Sequence, residues 1–187
     1  MPPRSEVYGA SCLESSFPRD RPRPVRSGLS PAFASGIGSV PEGTRVIRSI
    51  DYAGGGGNRL TLDLYLPPKT AAGTKLPLIV YIHGGGWMVG DKNQAKWRMQ
   101  GFMESGEYAV ASVNYCLSGD AVWPAQIHDC KSALRWLKAH APEYGFDRDR
   151  FIPVGVSAGG HLAGMLGHHG GARRDGGGRG KPPGPSR

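Results

Sequence analysis

The sequence predicts a three-layer αβα fold on a mostly parallel sheet, and three observations predict it. Strand-type and helix-type patterns alternate across residues 43–167, as they do in α/β folds. Two runs, Leu76–Ile82 and Tyr108–Asn114, are almost continuously apolar, which suits strands covered on both faces. The segments between such runs carry apolar residues at helical spacing, so helices cover the sheet.

The elements follow in order. Val46–Tyr52 and Leu60–Leu66 are short β-type runs around Gly54–Asn58 and predict a hairpin. Pro67 and Pro68 end the second run, because proline cannot continue a ladder. Leu76–Ile82 is the third strand. Asp91 precedes a helical segment in which Ala95, Met99, Phe102 and Met103 share a face. Tyr108–Asn114 is the fourth strand. Pro124 opens a helix in which Ile127, Cys130, Leu134 and Leu137 recur at helical spacing. Asp129 lies early in it and Lys138 and His140 late, matching the helix dipole. Phe151–Val156 is the fifth strand, and Ala158–Leu166 the helix after it.

At 187 residues the chain has room for one domain. Its hydrophobic share is only 39%, because 30 Gly and 16 Pro are concentrated unevenly. Residues 1–42 read as a disordered leader and 168–187 as a disordered Gly/Arg/Pro-rich tail, leaving 43–167 as a partial domain. The net charge of +8 does not indicate a nucleic-acid partner. Residues 43–167 hold 13 basic and 10 acidic residues, whereas 168–187 hold five basic and one acidic; much of the excess is tail. Cys12, Cys116 and Cys130 form neither a disulfide framework nor a metal-ligand pattern, so no metal is expected. No run reaches the length of a signal peptide or a membrane span, and a cytoplasmic location is the default expectation.

Two segments carry chemistry. Gly155-Val156-Ser157-Ala158-Gly159 lies between a predicted strand and a predicted helix. A nucleophilic serine presented above a sheet needs such a reversal, with small residues two before and two after it. A plain Gly-rich turn is the alternative use of the same residues. Directly after the third strand comes His83-Gly84-Gly85-Gly86-Trp87. Acyl transfer puts negative charge on a carbonyl oxygen, and backbone N–H groups can stabilise it only where glycines let the chain bend close. Gly84 and Gly85, with the Ala158 N–H, are the expected oxyanion hole. His83 is expected to brace the loop, with Gly86 and Trp87 completing it. No GK[ST] or GxGxxG pattern accompanies these glycines, which argues against a phosphate loop. Trp87 and Trp123 are expected either to meet substrate or to pack. Trp97 and Trp136 are expected to pack.

In this order and at this separation, residues 58–167 resemble the carboxylesterase branch of the α/β-hydrolases. That branch includes hormone-sensitive-lipase-like, feruloyl and acetyl esterase-like, and kynurenine formamidase-like proteins. The matching stretches are LDLYLP (62–67), IHGGGWMVGDK (82–92), SVNYCLS (112–118), WPAQIHDCKSALRWLKAH (123–140) and GVSAGGHLAGML (155–166). The resemblance implies the N-terminal part of an α/β-hydrolase. It also implies hydrolysis of a small-molecule carboxylic ester, or a similar acyl bond, through an acyl-serine at Ser157 without a cofactor. Three departures stand beside it. Cys116 replaces the arginine usual after NY, and Pro153 falls inside the fifth strand, where it predicts a bulge or local defect. Third, the triad order in this fold is Ser, then Asp or Glu, then His, and only His161, His168, His169 and Asp175 follow Ser157. His161 sits one helical turn on, and His168 and His169 about 16 Å along the helix. His128 and His140 are expected to be solvated helical residues. The expectation is therefore a chain cut short after the nucleophile helix, holding nucleophile and hole without the base. The alternatives are a ligand-binding pseudoenzyme and an unstable fragment.

Overall fold

A computed structural model describes residues 40–55, 59–68 and 73–170, with backbone alone for 168–170. The expected leader therefore lies outside the described residues up to residue 39, and the expected tail from residue 171.

Among the described residues five strands form one sheet in the order β1-β2-β4-β3-β5. Strands β1 (Arg45–Asp51) and β2 (Thr61–Leu66) pair antiparallel, as the hairpin reading required. Strand β2 also runs antiparallel to β4 (Ala109–Val113), while β3 (Leu76–Ile82) lies parallel to both β4 and β5 (Phe146–Gly155). The sheet is thus mixed, with its parallel part at β4-β3-β5.

Alternation along β3 explains its unbroken apolar run. Leu78, Val80 and Ile82 enter the cores shared with α3 (Ala125–Ala139) and α5 (Ala158–Gly170). Ile79 and Tyr81 point the other way, against Ala95 of α1 (Ala95–Arg98) and Met103 of α2 (Gln100–Ser105). A strand buried on both faces needs apolar residues at every position. These are the three layers the sequence predicts.

Five local expectations change. The helical segment after Asp91 starts as a 3-10 turn, Lys92–Gln94, capped by the Asp91 side chain accepting from Asn93 N at 2.7 Å. It breaks at Met99, and Phe102 turns outward, edge-on to Tyr108, rather than joining Ala95, Met99 and Met103 in the core. Strand β5 begins five residues early at Phe146. There Asp147 accepts from Asp149 N and from Arg150, whose Nη2 reaches Lys75 O at 2.7 Å. Pro153 makes no bulge: it pairs opposite Val80 in continuous register, the shift lying between Leu76 and Leu78. Among the described residues β5 pairs on one side only, where a missing proline N–H is tolerated. Cys116 is disulfide-bonded rather than a free small side chain, whereas Cys130 is a buried free thiol. Helix α5 runs to Gly170, four residues past Leu166.

The winding decides where a site can form. From β3 the chain crosses one face of the sheet through α1 and α2. From β5 it turns onto the opposite face through α5. β3 and β5 are neighbours, so their C-terminal loops part to opposite sides and leave a crevice. In open α/β sheets ligands bind at such switch points. No described helix is long and apolar enough to cross a membrane.

Candidate active site

Both motif segments meet at that crevice. Ser157 follows β5 directly and holds φ at 56°, a left-handed conformation costly for a residue with a β-carbon. The chain then turns into α5, with Gly159 N donating to Val156 O at 3.0 Å and His161 N to Ser157 O at 3.1 Å. The flanking glycines are required by contact. A β-carbon on Gly155 would lie 2.2 Å from Gly159 O, and one on Gly159 only 2.1 Å from Ile82 O. Their absence lets α5 sit against the ends of β5 and β3.

The loop after β3 closes on the same point. A β-carbon on Gly84 would stand 2.6 Å from Val156 O and 3.6 Å from the Ser157 β-carbon, so this loop lies against the serine turn. Gly85 takes φ 123° because the loop folds back on it: Met88 N and Val89 N both donate to Gly85 O at 3.1 Å. Among the described residues no acceptor takes the N–H of Gly84, Gly85 or Ala158. Three main-chain donors at this crevice are thus uncommitted beside an exposed Ser157.

His83 hydrogen-bonds within this loop. It is 1% exposed, its Nδ1 donates to Gly84 O at 2.9 Å, and its ring stacks on Tyr115 at 4.3 Å. Tyr115 Oη donates to His83 O at 3.0 Å. Burial holds the imidazole pKa below its ordinary value. Trp87 is strained, with φ 60° and a buried Nε1 lacking a partner among the described residues.

Two supports were not legible beforehand. Lys92, at the exit of the glycine loop, pairs through Nζ with Asp63 Oδ1 of β2 and donates to Ser49 Oγ at 3.1 Å. Asp63 is 1% exposed and also accepts from Ser49 N at 2.8 Å. Lys92 N donates to Asn114 Oδ1 at 2.7 Å, and Lys92 O accepts from Ser112 Oγ. The loop is therefore anchored to β1, β2 and β4; the charged pair inside LDLYLP and GDK was its signal. Asp129 is the second. Rather than serving the helix dipole, it is buried and accepts from Cys116 N at 2.9 Å. Burial pushes its carboxyl up to about 6.

The remaining histidines separate clearly. His161 stands beside Trp87 and Trp123, and among the described residues no side chain hydrogen-bonds Ser157 Oγ. His128 is exposed, as expected. His140 is not simply solvated: its Nδ1 donates to Trp136 O at 2.8 Å and its ring stacks on Trp136 at 3.9 Å. The His168 and His169 side chains and Asp175 lie outside the described residues. Among the described residues no three His, Cys, Asp or Glu gather as metal ligands.

Residues 62–176, more than half of the chain, match the BD-FAE family. The chain belongs to the α/β-hydrolase carboxylesterases. It is 37% identical over 173 residues to the probable carboxylic ester hydrolase LipM of Mycobacterium tuberculosis, covering 87% of this chain and 39% of LipM. It is 33% identical over 158 residues to an arylesterase of Saccharolobus solfataricus, covering 83% and 48%. Among solved structures it is similar to esterase B of Lactobacillus rhamnosis, with a TM-score of 0.63 at 37% identity over 69% of this chain and 41% of that one. A bacterial heroin esterase matches with a TM-score of 0.55 at 30% identity, covering 65% and 38%. The chain thus spans less than half the length of each of these relatives.

Proposed function

We propose that this chain carries the nucleophile and oxyanion hole of a serine hydrolase acting on small-molecule carboxylic esters. Ser157 Oγ attacks the ester carbonyl. The N–H groups of Gly84, Gly85 and Ala158 take the oxyanion, and collapse expels the alcohol to leave an acyl-serine that water hydrolyses. The observation that carries this reading is Gly84 lying against the Ser157 turn with these three donors uncommitted. With no described side chain on Ser157 Oγ, the serine proton goes to water or to a base from another segment. Turnover depends on that base, since a serine without one reacts slower by orders of magnitude. The same unpartnered hydroxyl favours a second reading, a ligand-binding protein that keeps the pocket without hydrolysis.

One assay separates the two. Hydrolysis of p-nitrophenyl acetate by the full chain is compared with Ser157→Ala, with and without added imidazole as an external base. A rate that depends on Ser157 and rises with imidazole supports the hydrolase reading. Equal rates for both proteins refute it and leave the binding reading.

A further inference from the structure

The chain holds three cysteines, Cys12, Cys116 and Cys130. Cys116 is disulfide-bonded, while Cys130, the other cysteine among the described residues, is a free thiol. The two serve separate cores. Cys116 packs with Tyr52 and Leu60, which flank the β1–β2 turn, and with Ala133 and Leu137 of α3. Cys130 packs with Tyr115, Leu162 and Leu166. Burial also pushes the Cys130 thiol well above its ordinary pKa, and only a thiolate attacks a disulfide. Cys130 is therefore placed neither to pair with Cys116 nor to exchange with its bond.

A covalent link at this position acts on the wall of the crevice. Tyr115, on one side of Cys116, stacks on His83 at 4.3 Å and donates to His83 O. Ser118, two residues on, donates its N–H to Trp87 O at 2.8 Å. Cys116 N itself donates to the buried Asp129 carboxylate. Fixing Cys116 thus fixes the segment that meets the glycine loop at both of its ends.

We propose that Cys116 is bonded to Cys12, so that a covalent staple ties the N-terminal segment to the segment after β4. Cys12 lies outside the described residues; it is the cysteine left once Cys130 is set aside. The cysteine standing where the family usually has arginine thereby gains a role. The bond forms by exchange with a small disulfide such as oxidised glutathione. The Cys12 and Cys116 thiols give up two protons and two electrons, and two glutathione thiols are made. Such a bond persists in oxidising surroundings. It closes a loop of about 100 residues, and closing a long loop takes much freedom from the unfolded chain. The staple does not depend on whether Ser157 reacts.

The test maps the bond and then weighs it. Full-length protein is equilibrated with oxidised and reduced glutathione, blocked with iodoacetamide in denaturant, and cleaved before aspartates without reductant. That cleavage puts the three cysteines in separate peptides, residues 1–19, 91–119 and 129–146. Mass spectrometry is expected to find 1–19 joined to 91–119 in a monomer, with Cys130 alkylated. Alkylation of both Cys12 and Cys116, any link to Cys130, or a link present only in covalent dimers overturns the proposal. Thermal unfolding then reads the staple's effect. Cys12→Ser should lower the midpoint by roughly 5–15 °C relative to the oxidised parent. Parent protein reduced in denaturant and refolded in dithiothreitol should show the same loss, which gives the comparison without any substitution. A midpoint unchanged by both treatments overturns the staple. Ester hydrolysis plays no part in either readout, so failure here leaves the reading of Ser157 untouched.

Discussion

Two glycines on one helix should respond oppositely to the same methyl group. Gly159 opens α5, and a β-carbon there would lie 2.1 Å from Ile82 O and 2.6 Å from His83 O. Real β-carbons essentially never approach other atoms closer than 3.0 Å. Gly159→Ala therefore forces α5 and the end of β3 apart by about 1 Å, and both colliding atoms are backbone. Overpacking of this kind costs about 1–3 kcal/mol, and rigid neighbours put it at the upper end. Gly164 lies two turns of α5 from Ser157 and is exposed, and a β-carbon there would have nothing within 4 Å. There Gly→Ala gains about 0.5–1 kcal/mol of helix stability. The two variants should differ by roughly 3–4 kcal/mol, which at about 1.5 kcal/mol per molar is a separation near 2 M in urea midpoint. Equilibrium urea unfolding followed by far-UV circular dichroism reads this directly. A Gly159→Ala midpoint equal to that of the parent, or two shifts of the same sign, would show that α5 does not pack on β3 as described.

Three other outcomes are expected. Lys92→Met removes the closest cation from the buried Asp63 carboxylate, leaving it the Ser49 N–H and a 3.7 Å contact to exposed Arg48 among the described residues. It should cost about 3 kcal/mol in chemical denaturation, and Asp63→Leu in the same protein should recover most of that. Asp129 titrates at about 6 when folded against 3.8 as a free carboxyl, because burial outweighs the Cys116 N–H bond. A raised folded pKa gives stability that is fully present below about 3.8 and lost as pH rises through about 6. Asp129→Asn should therefore gain on the parent between about pH 4 and pH 7, by up to ~3 kcal/mol, and a pH-independent difference in thermal or urea unfolding would contradict the burial of this carboxylate. Ser157→Ala should abolish hydrolysis of p-nitrophenyl acetate above the buffer rate.

What could be read from the sequence was set by local pattern. Period-two and unbroken apolar runs located β1 to β4 to within a residue or so. Gly84, Ser157 and Gly159 were legible because each answers a demand of backbone geometry, and such demands leave few alternative residues. What escaped depended on distant partners. Phe102 sits at a core-like spacing, yet the break at Met99 rotates it outward, and no periodicity reports a break. The polar stretch Asp147–Arg150 hides the start of β5, because its pairing with Leu76 lies some seventy residues away. Lys92 with Asp63, and Asp129 with Cys116, are charges whose roles appear only once separate strands are brought together.

The strain at Ser157 yields a further test, because it separates the serine's chemistry from its backbone. A left-handed conformation costs an alanine-like residue about 1–2 kcal/mol, and here the docking of α5 holds it in place. Ala158, Leu162, Ala163 and Leu166 of α5 are buried, and full burial of each leucine is worth about 2 kcal/mol. That burial outweighs the strained turn that starts the helix. Ser157→Ala and Ser157→Gly remove the same hydroxyl, but only glycine removes the strain. Glycine also gives the unfolded chain more freedom, which costs about 0.5–1 kcal/mol. Ser157→Gly should therefore be the more stable of the two by about 0.5–1 kcal/mol in urea unfolding, with both equally inactive. If Ser157→Ala proves as stable as Ser157→Gly or more so, the turn is not held left-handed, and the approach of Gly84 to the serine loses its geometric basis.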